Sequence, residues 1–204
     1  MYQRYIKRMI DIVLSVIGIV IAAVPMLIIT IVTKIDSPGP AFFRQKRIGI
    51  HKSVFDILKF RTMPVSVSPD TPTHLMKENI DYSAWQRFLR LSSLDEIPQL
   101  FCIFVGNMSV VGPRPALWNQ DDLIAERDKY GANDVRPGLT GWAQINGRDE
   151  LEIPVKAQLD GEYTAVLNAG GIKAFGMDVR CFFGSVFPVL RREGVQDGTA
   201  QEKR

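Results

Sequence analysis

Hydrophobic positions gather most densely near the N-terminus, where Ile12 to Thr33 form 22 consecutive residues without a charge, enough for a helix to cross a bilayer. A secretory signal fits poorly: the run exceeds the usual apolar core of such a signal, and no small-x-small cleavage site follows before Lys34. A straight span fits only partly. Pro25 lies near the middle of the run, where it removes a backbone hydrogen bond. Arg4, Lys7 and Arg8 precede the run and Lys34, Arg44, Lys46 and Arg47 follow it, whereas a spanning segment carries its Lys and Arg excess on one side. A helix that enters, breaks at Pro25 and returns leaves both basic flanks on one anionic surface. The pattern therefore favours a re-entrant membrane helix hairpin over residues 1–36.

Beyond Pro38-Gly39-Pro40, aromatic and branched residues at 41–45 and 54–60 flank Gly49 and predict a β-hairpin. Residues 64–84, with Pro64, Pro69 and Pro72, read as a surface loop. A helix is expected to end near Val105, before the turn Gly106-Asn107, and a charged amphipathic helix to run from Trp118 to Tyr130. Residues 134–148 are rich in Gly, Pro, Asn and Arg and read as structured loop. Phe175, Val179, Phe182, Phe183, Val186, Phe187 and Leu190 recur at helical spacing among Lys173, Arg180, Arg191 and Arg192, as in an interfacial amphipathic helix. A helix that closes the core would give the same periodicity. Trp85, Phe88 and Leu89 with Arg87 and Arg90 form a shorter version. No repeat or linker divides residues 37–204, so the expected architecture is one α/β domain (α+β, helix-rich) on the cytosolic side, mounted on the membrane hairpin.

Composition narrows the function. A net charge of +3 makes no case for nucleic acid, and Cys102 and Cys181 lack C-x-x-C spacing, which argues against disulfide frameworks and zinc sites. Only two histidines occur, His51 and His74, neither in a promising segment, so Ser-His-Asp and zinc chemistry fall away. Neither G-x-x-x-x-G-K-[ST] nor G-x-G-x-x-G is present.

The candidate chemistry lies in Ser93-Leu94-Asp95-Glu96-Ile97-Pro98-Gln99-Leu100, two adjacent carboxylates in an apolar stretch. Ser93 and Glu96 have the spacing of a capping box, but Pro98 would then be the fifth helical residue, where its ring crowds the carbonyl of Leu94. A later start, with Asp95 or Glu96 at the cap, fits the proline better and sets both acids at the positive end of the helix dipole. Capping and chemistry remain open at this point. Arg61, Arg114, Arg136 and Arg148 each stand beside Pro, Gly, Thr or Asn in ordered-looking loops. One such arginine is ordinarily structural or exposed; four near two carboxylates suit a diphosphate, with a divalent metal shared between carboxylate and phosphate oxygens.

Taken together, these segments resemble the small monotopic phosphoglycosyl transferases, bacterial sugar transferases that act on a polyprenol phosphate carrier. The resemblance rests on the Pro25-containing apolar segment, Phe42-Phe43-Arg44-Gln45, Lys59-Phe60-Arg61-Thr62-Met63, the acidic octet, Gly106-Asn107-Met108-Ser109, Gly112-Pro113-Arg114-Pro115 and Arg136-Pro137-Gly138-Leu139-Thr140-Gly141-Trp142-Ala143-Gln144-Ile145-Asn146-Gly147-Arg148, then Asp160 and Tyr163. It implies transfer of a sugar 1-phosphate from a UDP-sugar to undecaprenyl phosphate at the cytoplasmic face of the bacterial inner membrane, releasing UMP, with Mg²⁺. By carry-over Asp95 is the nucleophile and a metal ligand, and Glu96 its partner. Arg114, Arg136, Gln144, Asn146 and Arg148 take phosphate- and nucleotide-binding roles, supported by Lys59, Arg61 and Asp160. The Gly141-Trp142-Ala143 and Gly147-Arg148-Asp149-Glu150 neighbourhoods are similar to those of members acting on N-acetylated, often 6-deoxy, hexosamines. Val24 stands where many relatives have serine, residues 64–84 lack the D-x-x-G and D-P-R patterns, and residues 168–177 hold three glycines. The competing functions are a non-catalytic membrane scaffold and a phosphatase or pyrophosphatase using the same aspartyl chemistry.

Overall fold

The computed structural model of the protein describes residues 1–63, 82–147 and 151–191, with residues 186–191 described by their backbone alone. The expectations for residues 64–81, for Arg148, Asp149 and Glu150, for Arg192 and for the side chains of Val186, Phe187, Leu190 and Arg191 lie outside it. What is described is helix-rich with two small sheets.

A π-helical turn, Tyr2–Ile6, leads into α1, Lys7–Asp36. This helix is long and apolar enough to cross a membrane. It is helical on both sides of Pro25 and through it. The proline lacks the donor for the carbonyl of Ile21, yet the helical run continues on both sides.

Both ends of α1 are tied to the rest of the protein. Near its start, Arg8 donates to the carbonyls of Ile103 and Phe104, and Asp11 accepts from Ser109 Oγ and the Val110 amide. Near its end, Ile29 packs with Phe60 and Leu89, Thr33 Oγ1 accepts from Trp85 Nε1, and Asp36 accepts from Ser83 Oγ. Val13, Val16, Ile17, Val20, Ile21, Val24, Leu27, Ile28 and Ile31 are left exposed along its length, a face that calls for an apolar surrounding.

The predicted hairpin is present as β1, Phe42–Ile48, and β2, Val54–Phe60, antiparallel with Phe42 opposite Phe60 and Ile48 opposite Val54. After α2, Ala84–Leu91, a 3₁₀ turn at Leu94–Glu96 leads to α3, Gln99–Val105. Gly106 ends α3 in the left-handed region at φ 101°, where the lack of a Cβ removes the strain.

Residues 134–148 hold more regular structure than expected: β4, Gly138–Thr140, pairs in parallel with β3, Ser109–Val111, and α5, Trp142–Ile145, follows. Glycine makes this ladder possible. A Cβ on Gly112 would lie 2.4 Å from the Arg136 carbonyl oxygen, one on Gly138 2.1 Å from the Gly112 nitrogen, and one on Gly141 2.1 Å from the Gly112 oxygen. The Gly112-Pro113 and Pro137-Gly138 segments therefore dock backbone to backbone. The core gathers on this ladder through Ile103, Met108, Val111, Tyr163 and Cys181.

The charged helix is shorter than expected: α4 spans Asp121–Asp128. The long α6, Ile153–Ala169, gave little signal in the hydrophobic pattern because, beside Tyr163 and Leu167, its buried positions Ala157, Asp160, Gly161 and Thr164 are small or polar. Gly170 and Gly171, both at positive φ, separate it from α7, Gly171–Arg191. Helix α7 buries Ala174, Asp178 and Cys181 and exposes Phe175, Val179, Phe182 and Phe183. In α2, Phe88 is exposed but Leu89 is fully buried. The apolar positions of both helices thus divide between core and surface.

Candidate active site

Ser93 shapes the turn that carries the two acids. It adopts a left-handed conformation, φ 56°, as the chain leaves α2, and its side chain makes no capping bond. The capping box is absent, as the position of Pro98 implied. The acids do not cap α3 either: Asp95 and Glu96 lie in the 3₁₀ turn, and Pro98 itself occupies the N-cap of α3.

Glu96 Oε1 accepts from Lys59 Nζ at 2.6 Å and from Arg114 Nη2 at 2.9 Å. Lys59 comes from β2 and Arg114 from the loop after β3, so the pair joins two sheets to the acidic turn. Burial alone would raise the Glu96 carboxyl, but the Arg114 and Lys59 charges and their hydrogen bonds hold it well below the usual carboxylate range. Asp95 is treated differently. Burial pushes its carboxyl up to about 6, and the Glu96 charge adds to the rise against the opposing charges of Lys59, Arg90 and Arg114. Among the described residues no hydrogen bond reaches its carboxylate. One turn thus presents a fixed anion beside a buried carboxylate whose oxygens are free to bond.

Arg114 is held from behind. Its carbonyl accepts from Arg127 Nη2 at 3.0 Å, and Arg127 is gripped by Asp160 Oδ2 through Nε at 2.9 Å and Nη2 at 2.6 Å. Asp160 is 1% exposed. It lies too deep to touch a ligand in this arrangement and supports Arg114 through Arg127. Arg47 Nη1 fixes the neighbouring carbonyl of Pro115.

The expected arginine cluster is only partly assembled. Arg61 is buried and donates to the carbonyls of Ser37 and Pro38 and to Ser37 Oγ, at the C-terminus of α1, where a cation complements the helix dipole. Arg136 donates through Nε to the Gly106 carbonyl and lines a small polar recess with Gln3, Lys7, Asp11, Ser109 and Leu167. Since β3 and β4 run parallel, Arg136 precedes the ladder whereas Arg114 follows it. Gln144 and Asn146 lie beyond the same end as Arg114. Gln144 Nε2 donates to the Leu139 carbonyl, leaving Oε1 buried and without a partner among the described residues, and Asn146 Nδ2 donates to the Trp142 carbonyl.

Two contributors escaped the sequence reading. Arg90 looked like a surface companion of Trp85 and Phe88; it donates to the Tyr82 hydroxyl, and its charge reaches Asp95. Arg127 stood in a charged amphipathic stretch, where nothing in the spacing marks a buried cation.

Among the described residues no group of three His, Cys, Asp or Glu side chains could hold a metal ion. Mg²⁺, however, ordinarily takes one or two carboxylates and completes its shell with phosphate oxygens and water. The unbonded Asp95 carboxylate fits that donor set once a diphosphate is present.

The bacterial sugar transferase family model matches residues 2–192. The uncharacterized sugar transferase EpsL of Bacillus subtilis is 33% identical over 191 residues, covering 94% of this chain and 90% of that protein. The UDP-glucose:undecaprenyl-phosphate glucose-1-phosphate transferase of Escherichia coli is 35% identical over 174 residues, 79% of this chain but 36% of its own length. The undecaprenyl-phosphate galactose phosphotransferase of Salmonella typhimurium is 30% identical over 209 residues, 94% of this chain and 42% of its own length. The chain thus covers nearly all of the first relative and less than half of the other two. With a match that runs from Tyr2 to Arg192 and includes every element around the acidic turn, the protein belongs to the bacterial sugar transferase family.

Proposed function

We propose that this protein is a phosphoglycosyl transferase that moves a sugar 1-phosphate from a UDP-sugar to undecaprenyl phosphate and releases UMP, with Asp95 as the nucleophile. The observation that carries the reading is the contrast within one turn: Glu96 is held as an anion by Lys59 and Arg114, while Asp95 is buried, takes no hydrogen bond from a described residue and is close to three cations. In the first step an Asp95 carboxylate oxygen attacks the β-phosphorus of the UDP-sugar. The bond from that phosphorus to the bridging oxygen breaks, and its electron pair leaves with UMP. In the second, an oxygen of undecaprenyl phosphate attacks the same phosphorus and displaces Asp95 as a free carboxylate, giving the diphosphate-linked sugar. Lys59 and Arg114 offset the charge of the phosphates, and Glu96 keeps both cations in place.

Asp95 is the side chain that would hold Mg²⁺ together with phosphate oxygens. The bound ion would supply further charge neutralisation on the diphosphate.

The membrane reading is a re-entrant α1 at the cytoplasmic face. Its support is that Arg8 and Asp11 near one end and Thr33 and Asp36 near the other bond to the same water-soluble part. A straight helix of 30 residues would be about 45 Å long, and a span would leave one of those ends across the bilayer from its partners. The relatives are named for glucose and galactose. An N-acetylated hexosamine is the finer choice suggested by the neighbourhood of Gly141 and Gly147.

The test is a panel of UDP-glucose, UDP-galactose and UDP-N-acetylhexosamines with undecaprenyl phosphate and Mg²⁺, measuring UMP and lipid-linked sugar for wild type and Asp95→Asn. Lipid product from wild type and none from Asp95→Asn supports the transferase. Sugar phosphate released without the lipid acceptor indicates a hydrolase, and no UMP from any donor leaves a scaffold.

A further inference from the structure

Helix α3 follows the acidic turn and leaves one face open: Phe101 is 40% exposed, Phe104 46% and Val105 66%. Three and four residues apart on an α-helix, they form one uncharged face. The other side of the helix is occupied, with Cys102 and Ile103 in the core and Leu100 against α1, where a Cβ on Gly18 would lie 3.0 Å from Leu100 Cδ1. The C-terminal carbonyls of α3 are closed from within the protein. Ile103 and Phe104 accept from Arg8 Nη1 and Nη2 at 2.7 Å each, Cys102 accepts from the amides of Gly106 and Met108, and Gly106 accepts from Arg136 Nε. A helix ending in water can leave such groups to the solvent, whereas one ending against hydrocarbon must satisfy them internally. The open apolar face and the end sealed by two guanidinium groups agree on a hydrocarbon neighbour.

The other end of the helix says which hydrocarbon. The turn before α3 holds Glu96 between Lys59 and Arg114, and Arg90 adds a third positive charge near Asp95. Cations at one end, with an uncharged face leading away from them, complement an amphiphile that has an anionic head and an apolar chain. We propose that the Phe101, Phe104 and Val105 face of α3 carries the isoprenoid chain of the lipid acceptor, laid along the helix from a phosphate at the acidic turn. Seven residues give α3 a length of about 10 Å, so the face grips the isoprene units nearest the phosphate and leaves the rest of the chain to the bilayer. The inference rests on the proposed transfer to undecaprenyl phosphate.

Phe101→Ala and Phe104→Ala test it, since neither side chain belongs to the buried core. Phe183→Ala, at a position 61% exposed on α7, is the control for a general effect of lipid contact. Each full-length protein is followed in detergent micelles with Mg²⁺ for thermal unfolding, for the KM of undecaprenyl phosphate and for the KM of the UDP-sugar. In both α3 variants the expected result is an acceptor KM raised about tenfold, a UDP-sugar KM within about twofold and an unchanged unfolding temperature, with Phe183→Ala matching wild type. Three results would overturn it: an unchanged acceptor KM in both α3 variants; an equal rise in Phe183→Ala, which makes lipid in general the cover of α3; or a rise in both KM values with a lower unfolding temperature, which makes the phenylalanines structural. Wild type is the control for the underlying reading. If it makes no lipid-linked sugar, the transferase assignment fails and this inference with it; if it does and the α3 variants match it, only the inference about α3 fails.

Discussion

Asp95 and Glu96 are joined by one peptide bond and share the charges of Lys59 and Arg114, and yet are held differently: Glu96 Oε1 takes both cations at 2.6 and 2.9 Å, whereas no described group bonds to Asp95. Two carboxyl groups pushed apart in this way can divide a task, one as a permanent anion and one as the reacting group. The shift at Asp95 has a consequence for stability. Its carboxyl is raised from 3.8 to about 6 by burial first, so between those values the folded state binds a proton that the unfolded state does not. Stability therefore falls as pH rises through this window, by about 3 kcal/mol at most. Asp95→Asn removes that cost. Thermal unfolding in EDTA from pH 4 to 8 is expected to find the variant more stable than wild type at pH 7.5, with the gap closing toward pH 4.

The buried pair of Arg127 and Asp160 gives a prediction of the opposite sign. Side chains that are 4% and 2% exposed hold each other and, through Arg127, the Arg114 carbonyl. Asp160→Asn leaves a buried guanidinium without its counter-ion, which costs about 3–5 kcal/mol. Chemical denaturation should register that loss. Arg127→Met with Asp160→Leu should recover most of the stability, while turnover stays low because nothing then holds the Arg114 loop.

Gly112→Ala tests the docking of the Gly112-Pro113 and Pro137-Gly138 segments at the parallel ladder. The new Cβ would sit 2.4 Å from the Arg136 carbonyl oxygen and 2.9 Å from the Gly138 nitrogen, so β3 and β4 must part. Circular dichroism and proteolysis are expected to find a protein that folds poorly, whereas Gly176→Ala, where a Cβ meets nothing within 4 Å, leaves both readouts unchanged.

Much of the acidic turn was legible because its chemistry is local. Pro98 argues against the capping box from sequence alone, although the N-cap that Pro98 itself takes is not read there, and two adjacent acids stand out in an apolar stretch. The hairpin was legible for the same reason, through Gly49 and the branched residues around it. The arginines were not, because a loop context says that a guanidinium is fixed without saying where. Arg61 fixes the end of α1, Arg136 the end of α3, and Arg114 alone of those described meets the carboxylates. Asp160 and Arg127 show the same limit from inside the core, since only the folding of α6 onto α4 brings them together. Helix α6 left little of an apolar stripe to read, and β4 pairs through glycines that sequence alone marks as loop.

Cysteine labelling separates a re-entrant α1 from a spanning one. Cys102 and Cys181 are buried, and burial pushes the Cys181 thiol up to about 12, so the native thiols are expected to stay silent in the folded protein. In cells carrying Tyr5→Cys or Ile35→Cys, both exposed positions near the ends of the apolar segment, a membrane-impermeant maleimide should reach both only from the cytoplasmic side. Labelling of one from each side would mean that α1 crosses the bilayer.

The most direct measurement of the account is the amount of UMP released when enzyme, Mg²⁺ and the UDP-sugar it uses are mixed without any lipid acceptor. Asp95 as a covalent nucleophile predicts a burst approaching one UMP per active enzyme, a matching mass increase of one sugar phosphate on the Asp95 peptide, and neither in Asp95→Asn. No UMP until undecaprenyl phosphate is added, or an equal burst from Asp95→Asn, would contradict it.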